Sequence, residues 1–262
     1  MTLPIAPGHA RQLAALRVAA PTTRVVVVGA AALGHHLPLD RDTKDIDLAL
    51  AVEENEVAPL MARVCWEPDR REAQRWNGPD AFRVDIVPAT PALIRAGKVQ
   101  LAGGHHTLSL VGFDLAYEYA EAVDLPGTES QIEVASLLSL VVLKMTAFLD
   151  RPYARTKDLA DLDMVLRHAL AEDDERRWAP PLRAAGVDFD HQSAFFVGDA
   201  LARLVTEVHR VRIDAFVDMM VAEVGTDWGT VTARETGHRA PDADERVRDR
   251  WRVFRRGFSP GE

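Results

Sequence analysis

Apolar and polar positions follow two periods along this chain, and the change from one to the other divides it. Residues 25–28 are four consecutive valines, a β-branched run that predicts a fully buried strand ending at Gly29. Small and apolar residues at 30–37 predict a short helix, Pro38 closes it, and residues 41–44 form a polar loop. Residues 45–50 then alternate with the period of a strand. That alternation sends Asp45 and Asp47 to one face and Ile46, Leu48 and Leu50 to the core. A helix is expected over 8–20, ended by Pro21. Another over 53–64 carries Val57, Leu60, Met61 and Val64 across the rear of the sheet in a βαβ-type unit. Asn77-Gly78-Pro79-Asp80 is a turn joining a strand-like segment at 71–76 to a strand at 82–87. Gly103-Gly104 precedes a further alternating stretch, and 132–135 reads as a short strand.

From Ser136 onward the period is helical. Residues 136–150 are apolar nearly all round, as in a buried helix, with Lys144 the one cation inside it. Leu159, Leu162 and Leu166 mark the apolar face of the next helix, and 193–205 and 208–224 have the spacing of a helical bundle core. The expectation is an α/β domain over 1–130 and a helical domain over 131–262.

Composition narrows the class. Of 262 residues, 47% are apolar and 27% charged, as in an ordinary globular protein long enough to bury a core. No apolar run approaches the ~20 residues of a membrane span, and residues 1–12 lack the basic-then-apolar order of a signal peptide, so a cytoplasmic protein with no membrane partner is expected. The single Cys65 excludes an intrachain disulfide and a multi-cysteine zinc site and reads as a packed thiol. A net charge of −9 argues against indiscriminate nucleic-acid binding but leaves room for a local basic face.

Three carboxylates carry the chemistry. Asp45 and Asp47 stand about 7 Å apart along one strand face, close enough to share divalent cations. Asp85, between β-branched neighbours, belongs on a strand that meets the same cleft. D-x-D alone is a common solvated strand face; its place after a glycine turn and a helix, whose first-turn N–H groups suit phosphate, gives the metal reading. Such a set meets the requirements of two-metal phosphoryl or nucleotidyl transfer. Lys144 needs a partner: it reaches a carboxylate, or an anionic ligand, or it snorkels to the surface along its stem. Asp158 and Asp161, one helical turn apart, read as a solvated face or a pair with Arg155. The histidine pairs His35-His36 and His105-His106 are expected to point apart, as surface or helix-end residues. Residues 246–256 gather six arginines around Trp251 and Phe254. They fit either an RNA-binding tail or an amphipathic helix balanced by Asp242, Asp244 and Glu245.

In combination these segments resemble the AbiEii-like nucleotidyltransferases of the DNA polymerase β-type superfamily, several of which are toxins of toxin–antitoxin modules. The first motif of that family is a glycine pair, a short helix and R-x-[ST]-x-D-h-D-h. Here it stands as Gly29-Ala30 followed by Arg41-Asp42-Thr43-Lys44-Asp45-Ile46-Asp47-Leu48. A strand acid matches Asp85, K-x-x-A matches Lys144 to Ala147 with Arg151 following, and K-D-h-x-D-h matches Lys157 to Leu162. Ala30 departs from the usual Ser or Gly, which weakens the inference of phosphate binding there, although the backbone N–H is retained. The resemblance implies a polymerase β-like mixed α/β fold with a helical C-terminal domain. It implies Asp45, Asp47 and Asp85 as ligands of two Mg²⁺ ions, with Asp85 as a third ligand or as base for the acceptor hydroxyl. It places Gly29, Ala30, Arg41, Thr43 and Lys144 on the nucleotide and Asp158 as an acid near Lys144. The reaction implied is NMP transfer from an NTP to a hydroxyl, on tRNA or other RNA, by a toxin with a cognate antitoxin. The alternatives are transfer to a small molecule, as in antibiotic-modifying relatives, or a non-catalytic nucleotide-binding or antitoxin-docking module.

Overall fold

The computed structural model describes residues 2–38, 45–101, 107–222, 224–237 and 240–259. The chain divides between Leu143 and Lys144 into two compact units, later than the boundary expected at 130. The reason is the strand after 130, which completes the sheet of the first unit.

In the first unit, helix α1 (Pro7–Ala19) starts on its own proline and buries Ala10, Leu13 and Leu16. Strand β1 (Val25–Val28) is buried at all four residues. Helix α2 (Gly29–His36) follows without a linker, then β2 (Ile46–Leu50), α3 (Glu54–Arg63), β3 (Glu67–Pro68), β4 (Arg75–Asn77) and β5 (Arg83–Pro88). Helix α4 (Pro91–Ala96), strands β6 (Lys98–Gln100) and β7 (Thr107–Ser109), helix α5 (Phe113–Glu118) and strands β8 (Glu121–Asp124) and β9 (Gln131–Val134) complete the unit up to the long helix α6 (Leu137–Asp150). Seven strands form one mixed sheet in the order β3-β4-β5-β2-β1-β9-β8, and β6 pairs with β7 separately.

The βαβ-type unit expected around the 53–64 helix is present: the parallel crossover runs from β2 through α3 and the β3–β4 pair to β5. β1 and β2 are antiparallel, a direction the sequence pattern left open. Period-2 patterning places side chains on faces but carries no information on direction, since both ladders have the same repeat. Cys65 also differs from expectation: it is exposed, at a φ of 58°, not packed.

The second unit takes the rest of α6 with α7 (Thr156–His168), α8 (Pro180–Ala185), α9 (Gln192–Leu204), α10 (Glu207–Val221), α11 (Trp228–Glu235) and α12 (Ala243–Phe258). Its core is aromatic. Phe148 meets Phe216 and Trp228 edge-on, Phe216 meets Trp251, and Trp251 meets Phe254, with centroids 5.1–5.5 Å apart, the spacing that ring quadrupoles favour. α9 and α12 touch through their backbones: a Cβ on Gly198 would collide with the carbonyl of Phe254, and one on Gly257 with that of Phe195. Glycine is unfavourable inside a helix by about 1 kcal/mol, and here it permits that contact. No described helix is long and apolar enough to cross a membrane.

Candidate functional site

A single row of partner residues crosses the sheet of the first unit. Val28 on β1 is opposite Asp47 on β2, Asp47 is opposite Asp85 on β5, and Asp85 is opposite Arg75 on β4. Residues in register share a face, so the two carboxylates and the guanidinium stand side by side on neighbouring strands, one strand spacing of about 4.8 Å apart. Asp45 lies two residues before Asp47, just outside β2. On β5, Val84 and Ile86 are buried while Asp85 and Val87 are only half-buried, the alternation that brings Asp85 out to this face.

Arg75 organises the acids. Its Nε donates to Asp85 Oδ1 at 2.9 Å and its Nη2 to Asp85 Oδ2 at 3.0 Å, and Nη2 also donates to Asp45 Oδ2 at 3.1 Å. The hydrogen bond with Asp85 is the main reason the guanidinium pKa is raised, against the opposing effect of burial. The sequence reading had this strand but not this residue. The observed register pairs Asn77 with Arg83 and Arg75 with Asp85 across residues 78–82; counting outward from a turn at 77–80 would have put Glu72 opposite Asp85, so the sequence carried no signal for Arg75.

Gly29 closes the other side. Its φ is 67°, and a Cβ there would overlap the carboxylate of Asp47, so glycine is required both by backbone conformation and by space. It begins α2, whose N-terminus has no side-chain cap and no acid in its first turn. The first-turn N–H groups, Ala30's among them, are therefore placed to receive an anion. Arg41 and Thr43 lie outside the described residues.

The donor set suits a hard divalent cation. It is all oxygen, carries three carboxylates against one guanidinium, and leaves Asp45 Oδ1 buried without a hydrogen-bond partner. Asp45, Asp47 and Asp85 do not all bring ligand oxygens within 4.8 Å of one another; among the described residues the one trio that does so is His35, His36 and Glu121. Arg75, bonded to two of the three acids, holds the place of a cation.

The remaining candidates lie in the second unit. Lys144, almost fully buried, donates to Asp158 Oδ1 at 2.9 Å and to Asp161 Oδ2 at 2.7 Å. Burial pushes its pKa down, but the two carboxylates outweigh it and the net shift is upward. Asp158 and Asp161 are thus buried partners of Lys144, not a solvated face, and Asp158 also pairs with Arg155 at 3.2 Å.

The RNA-tail reading of residues 246–256 is overturned in its aromatic half: Trp251 and Phe254 are core residues of α12 and cannot stack on bases. The arginines around them are engaged too. Arg246 pairs with Asp242, Arg248 with Asp227, Asp244 and Glu245, Arg250 with the buried Asp163, Arg252 with Glu245 and Asp249, and Arg255 with Asp218. Arg256 bonds the Ala185 carbonyl. His35 and His36 do end a helix, as expected, but they do not point apart, since both face Glu121. His105 and His106 lie outside the described residues.

Comparison with known proteins places the chain. The family model described as "Nucleotidyl transferase AbiEii toxin, Type IV TA system" matches residues 11–262. Similar solved structures include a candidate nucleotidyltransferase from H. pylori, 11% identical with a TM-score of 0.44, covering 97% of this chain and 96% of its own. JHP933 from Helicobacter pylori is 13% identical with a TM-score of 0.39, covering 94% and 92%. The antibiotic-resistance factor ANT(2'')-Ia is 14% identical with a TM-score of 0.37, covering 82% and 94%. No curated protein matches. With almost its whole length matched, and the motif acids Asp47 and Asp85 side by side on adjacent strands, the chain belongs to the AbiEii nucleotidyltransferase toxin family.

Proposed function

We propose that this nucleotidyltransferase uses Mg²⁺, two ions per site, to move a nucleoside monophosphate from an NTP to a hydroxyl of RNA, tRNA foremost, and that a cognate antitoxin restrains it. The observation that carries the reading is the Asp47–Asp85 register beside Gly29, with Asp45 adjacent.

Asp45 and Asp47 are the residues that would hold the metal, with Asp85 as a further ligand or as acceptor of the hydroxyl proton. Bound there, Mg²⁺ supplies charge neutralisation at the triphosphate and activation of the attacking hydroxyl. The uncapped turn at Gly29 and Ala30 receives a phosphate through backbone N–H groups. The hydroxyl oxygen forms a bond to the α-phosphorus, pyrophosphate departs with the bonding pair, and the proton passes to Asp85 or to solvent. Arg75 holds Asp85 and Asp45 in place and limits their mutual repulsion before the nucleotide arrives. Lys144 and Asp158 are assigned to the nucleotide by family resemblance alone.

With Trp251 and Phe254 of α12 buried, the RNA acceptor rests on the family resemblance. The test is incubation of the chain with each NTP labelled at the α-phosphate, Mg²⁺ and total RNA. Nuclease-sensitive label on RNA supports the reading. Label appearing only on small molecules added in parallel, or on nothing, overturns it.

A further inference from the structure

His35 and His36 end α2, and Glu121 begins β8, an edge strand of the sheet. His35 Nε2 and His36 Nδ1 each lie 3.6 Å from Glu121 Oε1, and the two rings sit edge to face at 5.1 Å. The histidine side chains are 4% and 14% exposed while that of Glu121 is 55% exposed, so the cluster is walled by protein on one side and open on the other.

The two histidine–glutamate contacts are too long for hydrogen bonds, for which N–H···O separations run to ~3.2 Å. They match another geometry. In a tetrahedral site with metal–ligand bonds of ~2.0–2.1 Å, neighbouring ligand atoms stand about 3.4 Å apart. The tautomer agrees. His36 Nε2 lies 2.8 Å from the Ala135 carbonyl, which can only accept, so Nε2 carries the hydrogen and in the neutral ring Nδ1 turns a lone pair towards the carboxylate. A backbone carbonyl on the outer ring nitrogen is the usual support of a metal-bound histidine.

We propose that His35, His36 and Glu121 form a binding site for a first-row transition metal ion of the Zn²⁺ class, separate from the Asp45, Asp47 and Asp85 site. Two imidazoles and one carboxylate suit Zn²⁺, and the open side leaves a fourth position for water. Mg²⁺, which prefers oxygen ligands and retains its waters, is disfavoured. Burial lowers the pKa of His36 despite its bond to Ala135. An ion here ties the end of α2 to the edge strand. Because α2 begins at Gly29, against Asp47, it also pins the helix whose first turn faces the proposed phosphate.

The test uses untagged full-length chain, stripped of metal and titrated with Zn²⁺ against a chromophoric chelator. The wild type, His35→Gln, Glu121→Gln and Asp47→Asn are compared, and Co²⁺ serves as a spectroscopic probe. The wild type and Asp47→Asn are expected to bind one tight ion per chain with the strong visible absorption of four-coordinate Co²⁺. Their melting temperature should rise by several degrees with Zn²⁺. His35→Gln and Glu121→Gln should melt near the wild type without metal, lose the rise, and bind at least a hundredfold more weakly. Wild-type binding in those variants, absence of a saturable site, or loss of binding in Asp47→Asn alone would overturn the proposal. So would destabilised variants with no zinc response in the wild type, which would make the cluster an ion pair only.

Discussion

Arg75 holds Asp85 in a two-pronged hydrogen bond, Nε to Oδ1 at 2.9 Å and Nη2 to Oδ2 at 3.0 Å, and the same Nη2 reaches Asp45 at 3.1 Å. The guanidinium therefore offsets repulsion that would otherwise fall on the metal-free site. Arg75→Met should lower stability by about 1–2 kcal/mol, a moderate figure because the group is a quarter exposed. Mg²⁺ should then raise the melting temperature more in the variant than in the wild type, since a divalent ion takes over the neutralising role. Thermal melts with and without Mg²⁺ decide it, and a variant with wild-type melting and wild-type response would show Arg75 to be incidental.

Gly29 cannot be replaced without moving Asp47. A left-handed backbone disfavours any side chain by about 1–2 kcal/mol, and a Cβ would overlap the Asp47 carboxylate as well. Gly29→Ala should lose stability by at least that much and lose nucleotide transfer more than a hundredfold. Transfer at the wild-type rate by Gly29→Ala would mean that Asp47 does not act from its observed position.

Lys144→Met should be strongly destabilising, by about 3–5 kcal/mol, because it leaves Asp158 and Asp161 buried without their cation. The pKa of Lys144 is raised in the folded chain, so its stabilisation is complete below the unfolded value of about 10.4 and is lost only as pH climbs through the higher folded value. Denaturant melts at neutral pH and near pH 9 should therefore give the same difference between variant and wild type. A difference that vanished between those two values would contradict the pairing.

Trp251→Ala should destabilise the second unit by about 3–5 kcal/mol through the cavity it leaves among Phe216 and Phe254. Any loss of RNA binding should follow unfolding. A folded Trp251→Ala variant that selectively lost RNA affinity would restore the base-stacking role that burial removes.

Much of this was legible in sequence. Four β-branched valines ending at a glycine favour a strand over a helix, and the alternation that follows puts Asp47 on the open face of β2, with Asp45 just before it. The antiparallel pairing of β1 with β2 was not legible, and neither was the His35, His36 and Glu121 cluster. Glu121 sits on a strand whose sequence, Glu121 to Asp124, has no apolar run, and it meets α2 only through the folded sheet. The C-terminal helix was legible as one of two open readings, and the amphipathic helix balanced by Asp242, Asp244 and Glu245 is the one the structure has. Val247, Trp251, Phe254 and Phe258 recur at helical spacing and form its buried stripe, a periodic signal stronger than the mixture of arginine and aromatic residues around it.

Catalysis by Asp45, Asp47 and Asp85 is tested most directly by measuring transfer of α-phosphate label from NTP with Mg²⁺ for the wild type and Asp47→Asn, alongside their melting temperatures. Asp47→Asn should melt within a few degrees of the wild type, removing a charge beside Asp85 without touching Arg75. Its transfer should fall to background, as should that of the wild type in excess chelator. Activity within about tenfold of wild type, only about 1.4 kcal/mol of barrier, in a folded Asp47→Asn protein would contradict the assignment.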